Sequence, residues 1–171
     1  MALLATGLGT ATSGCGRSQA AAQPELIEVD VVKLHGTGPR ARVRLPVPAG
    51  WTLMVDAVNG VKLTPPGRPA SGIKVEIEEC PAELKGTACI RHLHQDAKGA
   101  WKDQADGVVV VDNPEPPMVR GGLPFGAETT YRYDAATGAV ISCRASLNNV
   151  PAMARQLRKV CAALELPPAS K

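Results

Sequence analysis

From Ile27 onward the chain alternates apolar and polar residues with the period of a strand. Ile27, Val29 and Val31 alternate with Glu28 and Asp30, and Ala41, Val43 and Leu45 with Arg40, Arg42 and Arg44. Each segment therefore predicts a β-strand with one buried and one wet face. His35-Gly36-Thr37-Gly38-Pro39 between them is turn chemistry. Pro46, Pro48 and Gly50 break the second strand before extended structure resumes over Trp51 to Val55. Asn59-Gly60 predicts a hairpin between Leu53 to Asp56 and Val61 to Thr64. After the loop Pro65 to Gly72, Ile73, Val75 and Ile77 alternate with Lys74, Glu76 and Glu78 in a further strand ending at Cys80.

The period then changes. Ile90, Leu93, Ala97 and Trp101 recur at spacings of three, four and four, which predicts an amphipathic helix over Thr87 to Gln104, weakened by Gly99. Val108 to Val111 is a continuous apolar strand. Tyr131 and Tyr133 alternate with Thr130 and Arg132, and Asp134 to Gly138 turns the chain back into Ala139 to Leu147 as a second hairpin. Asn149 and Pro151 form a helix start, and Val150, Met153, Leu157, Val160, Cys161 and Leu164 then fall at helical spacing until Pro167.

Strands, a helix, more strands and a C-terminal helix predict an α+β fold, an antiparallel β-sheet whose apolar face is covered by the two helices. The run Val43-Arg44-Leu45-Pro46-Val47-Pro48-Ala49-Gly50-Trp51, a P-x-G-W corner leading into a strand, resembles the start of Mog1/PsbP-like domains. The order of elements is similar over most of Glu25 to Leu166. The resemblance implies an α/β sandwich, a scaffold that carries chaperones, photosynthetic accessory proteins and lipoproteins, so it implies no single function.

The first residues carry a different signal. Leu3, Leu4 and Leu8 stand among Ala, Gly and Thr, and Thr12-Ser13-Gly14 precede Cys15, a pattern that resembles a bacterial lipoprotein processing site. The resemblance implies a signal peptide over 1–14, too short to span a bilayer as a finished helix. It also implies a lipidated Cys15 with a small, polar tether over 15–24, and a single domain over 25–171. No Lys or Arg precedes the apolar stretch, which a start upstream of Met1 would explain; the alternative is an Ala/Gly/Ser-rich leader with an incidental cysteine. Gly16, where an Asp would favour inner-membrane retention, leans the expected address toward the outer membrane, facing the periplasm.

Setting Cys15 aside leaves Cys80, Cys89, Cys143 and Cys161, an even set that permits three pairings. Cys80 and Cys89 bracket a turn-forming segment, whereas Cys143 lies on a strand and Cys161 on the buried face of the last helix. We therefore expect Cys80 with Cys89 and Cys143 with Cys161, bonds that only an oxidising compartment preserves. Without a CxxC, or a His at finger spacing, zinc is the lesser reading. The net charge of +3 is too small to imply nucleic acid by itself. The aromatic residues are confined to Trp51, Trp101, Phe125, Tyr131 and Tyr133, too few for base-stacking platforms. Nothing beyond Cys15 has the length of a membrane span, so the lipid is the expected sole anchor.

Catalytic patterns are absent. Ser71, Ser142 and Ser146 sit in no GxSxG elbow, and Gly36-Thr37-Gly38 lacks the helix and lysine of a phosphate loop. His92 and His94 point roughly 200° apart on a helix and read as solvated residues flanking a buried Leu93. Glu76, Glu78, Glu79 and Glu83 form an acidic cluster that reads less as a cation site than as surface, with Glu76 and Glu78 the wet face of their strand. The chain is thus expected to be no enzyme and to need no cofactor or metal. The long segment Asp112 to Ala127 stands apart: Asn113-Pro114-Glu115-Pro116-Pro117 is followed by Met118, Val119, Arg120, Leu123 and Phe125. Loops of this length often carry function, and stiff prolines beside apolar anchors suit capture of a protein partner, with Arg120 or Glu115 facing charged groups. The alternative is that Leu123 and Phe125 fold back under the sheet. In size, anchor and disulfides the chain is similar in type to type VI secretion immunity proteins, which implies a binder that neutralises or sequesters a secreted toxin. The second reading is an envelope accessory or carrier lipoprotein that binds a small apolar ligand or assists assembly of a complex.

Overall fold

The computed structural model describes residues 24–32, 38–56, 60–68, 71–97, 99–104, 108–113, 126–147 and 151–166. In chain order they form β1 (Glu25–Val32), β2 (Arg40–Val47), β3 (Thr52–Asp56), β4 (Gly60–Thr64), β5 (Gly72–Glu79), α1 (Gly86–Leu93), β6 (Ala100–Asp103), β7 (Val109–Asn113), β8 (Gly126–Asp134), β9 (Ala139–Leu147) and α2 (Pro151–Ala162). This is antiparallel β-structure with two helices, an α+β architecture.

Strands β3 to β9 form one seven-stranded sheet in the order β3-β4-β5-β9-β8-β7-β6, and β1 and β2 form a separate two-stranded sheet. The alternation along β5 explains its central place. Ile73, Val75 and Ile77 are buried on the side shared with Ala139, Ile141, Cys143 and Ala145 of β9. Against this face lie Leu157, Val160, Cys161 and Leu164 of the C-terminal segment, together with Val29, Val31, Val43 and Leu45 of the β1–β2 ribbon. The opposite face supplies Val109, Tyr131 and Val140, and α1 covers them with Cys89 and Ile90. The expectation that both helices cover one face is therefore corrected. They lie on opposite faces, and the ribbon shares the α2 side.

The ribbon keeps its charged residues outward and in register. Glu28 opposes Arg44 and Asp30 opposes Arg42, with ion pairs of 2.8 Å and 3.2 Å. Because all four side chains are well exposed, each pair contributes less than about 1 kcal/mol. The ribbon is tied to the end of the chain by main-chain bonds: the Arg44 N–H donates to the Glu165 carbonyl and the Glu165 N–H to the Arg44 carbonyl, both at 2.9 Å.

The expected helix over Thr87 to Gln104 is shorter than its periodicity suggested. It ends at Leu93, and Ala100–Asp103 instead forms β6, the edge strand beside β7. Gly99, at φ 151°, lies in the backbone region that favours glycine. Trp101 satisfies both periods because it reaches the same cluster from a strand as it would from a helix. The hairpin at Asn59-Gly60 joins β3 to β4, and Gly60 has φ 74°; Asn59 itself lies outside the described residues.

Candidate functional site

The structure brings the cysteines together as two disulfides. Cys80, just past β5, is bonded to Cys89 in α1 with Cα atoms 5.8 Å apart. Cys143, in β9, is bonded to Cys161 in α2 at 5.5 Å. One bond thus ties a helix to each face of the large sheet. Among the described residues no group of three His, Cys, Asp or Glu side chains converges for a metal ion, and no helix is long and apolar enough to cross a membrane. Cys15, and the loop residues Glu115, Met118, Val119, Arg120, Leu123 and Phe125, lie outside the described residues.

A polar and aromatic chain runs beneath the end of α1. His94 is its C-cap residue, and its N–H donates to the Ile90 carbonyl at 3.1 Å. The imidazole lies over Tyr131, ring centroids 4.2 Å apart, and its Nε2 is 3.5 Å from Glu78 Oε1 on β5. At that separation the contact is electrostatic rather than a formed hydrogen bond. Trp101 stacks on Tyr131 at 6.2 Å, and the Arg91 guanidinium lies 5.3 Å over Trp101. Arg91 also donates to both Asp103 carboxylate oxygens, at 2.8 and 2.9 Å. Burial holds the His94 pKa below its ordinary value, with the Glu78 carboxylate partly offsetting the effect. Burial likewise raises the Tyr131 phenol; a hydrogen bond with the Thr129 side chain and the Arg144 charge work against it, while the Glu78 and Glu76 carboxylates add to it.

The expectation that His92 and His94 are two solvated residues holds for His92 alone. His94 is only 16% exposed at the side chain. The signal was present in the sequence, since His94 follows the fully buried Ile90 by four and so shares its face. Leu93 packs against the same cluster while remaining partly exposed. The arrangement fastens the helix end to the sheet.

The other distinctive feature is β3, an outer strand of the large sheet. One side of its backbone pairs with β4, and among the described residues no strand pairs with the other. Met54 and Val55 are 54% and 58% exposed, and with Leu26 they are the large apolar residues most open to solvent among the described residues. Natural sheet edges are commonly blunted by Lys, Pro or a bulge. Thr52-Leu53-Met54-Val55-Asp56 has no Lys or Pro, and its register with β4 is unbroken. Periodicity predicted the strand, but its edge position depends on pairing that no local pattern encodes.

An antiparallel α+β domain with a disulfide on each sheet face is the class these observations define. No protein-family model matches the chain, and no curated protein matches it. A protein from Bacteroides thetaiotaomicron VPI-5482, whose crystal structure was solved at 1.50 Å resolution, is similar in fold with a TM-score of 0.55 and 12% identity. The match covers 75% of this chain and 46% of that one, so this chain spans about half the length of its structural neighbour.

Proposed function

We propose that this is a non-enzymatic, lipid-anchored protein of the bacterial envelope that binds another protein, in the manner of an immunity protein. The observation that carries the proposal is the outer β3 strand, whose exposed Met54 and Val55 offer apolar side chains on the two faces of the sheet. A partner's extended segment adding there would gain main-chain hydrogen bonds along the edge and apolar contacts on alternate residues. The two disulfides agree with an oxidising compartment such as the periplasm, and Cys15 is the proposed lipid carrier. The β7–β8 connection, with Glu115, Met118, Val119, Arg120, Leu123 and Phe125, is the proposed second element of contact. A Mog1/PsbP-like identity for the domain belongs to the same proposal.

The test is capture from the producing cells with the full mature chain, comparing wild type with Met54→Asp/Val55→Asp and with a deletion of Pro116 to Leu123. The expected result is one discrete partner that the edge variant loses while keeping wild-type circular dichroism and Tm. Equal capture by the edge variant, or recovery of no discrete partner, overturns the assignment of β3.

The carrier reading has its own support in a groove of about 420 Å³ lined by Pro24, Pro46, Pro48, Val160 and Ala163. Its lining is mostly apolar, and its size lies within the range of small-molecule sites. Saturable binding of a fluorescent fatty acid, displaced by Ala163→Glu, would favour that function over protein capture.

A further inference from the structure

We propose that the open groove between α2 and the outer strands β6, β7 and β8 binds a compact polyanion bearing phosphate or carboxylate groups. The groove exists because α2 packs mainly on β9 and leaves the outer part of the sheet's face beyond its flank open. The resulting space has a volume of about 360 Å³, within the range of small-molecule sites.

Its walls concentrate positive charge from three elements. Lys102 comes from β6, Arg132 from β8, and Arg158 and Lys159 from α2. Lys102 and Thr130 both oppose Val110 in the sheet register, so they stand on one face, two strand spacings or about 10 Å apart. Arg132 follows Thr130 by two and shares that face. Among the described residues the lining carries a single carboxylate, Glu128, which Arg158 Nε engages at 2.6 Å. Three further cations thus line a partly enclosed space beside that carboxylate.

The site is also preorganised. Arg132 donates from Nη2 to the Ala162 carbonyl at 2.8 Å, which anchors its guanidinium against the end of α2. The Arg158–Glu128 pair makes a second tie between the same two elements, α2 and β8. Thr130, only 5% exposed, adds a hydroxyl to the floor. Planar guanidinium groups match the paired oxygens of phosphate and carboxylate, whereas the lysines act as movable point charges. A ligand with two anionic ends would relieve the mutual repulsion of the cations without expelling the existing ion pair. The inference stands independently of the β3 edge, which lies at the far end of the sheet.

The test uses the full mature chain in about 150 mM salt, where exposed charges are screened beyond about 8 Å. Titrations with pyrophosphate and with citrate are followed by amide chemical shifts. Saturable shifts confined to Lys102, Thr130, Arg132 and the last turns of α2 are expected with at least one probe, and the tighter probe identifies the preferred headgroup. Lys102→Glu/Lys159→Glu should weaken binding at least tenfold with Tm unchanged. Lys62→Glu, on the other face of the sheet, should change it less than twofold. No saturable shift with either probe, or equal weakening by Lys62→Glu, overturns the proposal.

Discussion

Cys143 and Cys161 are covalently joined across the main core, so the middle of β9 and the last turn of α2 move as one unit. Both residues are nearly inaccessible, at 2% exposure. The bond closes a separation of 18 residues, against 9 for Cys80–Cys89.

Loop-closure entropy makes the longer bridge the more stabilising one. Cys143→Ala/Cys161→Ala is expected to lower unfolding free energy by about 3 kcal/mol, and Cys80→Ala/Cys89→Ala by about 2.5 kcal/mol. Urea unfolding of the two double variants checks both the loss and its order. Equal stability of wild type and the Cys143/Cys161 variant would show that the packing of α2 is sufficient without the bond.

Acidification should destabilise the α1 end of the domain. The folded pKa of His94 lies below 6.5 because burial disfavours the imidazolium more than Glu78 favours it. The unfolded chain therefore binds a proton first as pH falls. The contribution of neutral His94 is fully present above about pH 6.5 and is lost as pH drops through the lower folded value. His94→Gln should flatten the dependence of Tm on pH between about 7 and 5. A steeper fall, or a rise in wild-type Tm on acidification, would mean that the attraction to Glu78 outweighs burial.

Gly72 is required by close approach rather than by its backbone angles. A Cβ there would lie 2.5 Å from the Leu63 carbonyl oxygen in the neighbouring strand. Gly72→Ala must push β4 and β5 apart, at an expected loss of about 1–3 kcal/mol. Thermal unfolding measures it, and Gly67→Ala is a useful contrast: a Cβ there meets nothing within 4 Å, although φ is 67°, so the loss should be about 1 kcal/mol, from backbone strain alone.

Leu157 is fully buried between α2 and the sheet. Truncation to Ala removes its burial and leaves a cavity, for an expected loss of 2–5 kcal/mol by the usual range, or roughly 3. By contrast, Arg42→Ala removes an exposed ion pair with Asp30 and should cost about 0.5 kcal/mol. Denaturant midpoints of the two variants should differ accordingly.

Much of the local structure was readable before any tertiary information. The alternation in β1, β2 and β5 needs only one wet and one dry face, and the spacing of Leu157, Val160, Cys161 and Leu164 needs only a helix against a core. Trp101 defeated the same logic. A residue eight after Leu93 satisfies a helical period even when Gly99 and a strand intervene, because periodicity records burial rather than the path of the chain. His94 was legible from Ile90 by spacing, yet its contact with Tyr131 joins residues far apart in the chain and has no local signature.

Outside Ala100–Asp103, the amino-acid order by itself determined which segments extend, which coil and which side of each is apolar, because those properties depend on neighbours within a turn or a strand. Tertiary structure alone decided that the helices take opposite faces, that β3 becomes an edge, and that Lys102, Arg132, Arg158 and Lys159 line one groove. These features arise from long-range pairing, in which many registers are locally acceptable and only collective burial of both sheet faces selects one.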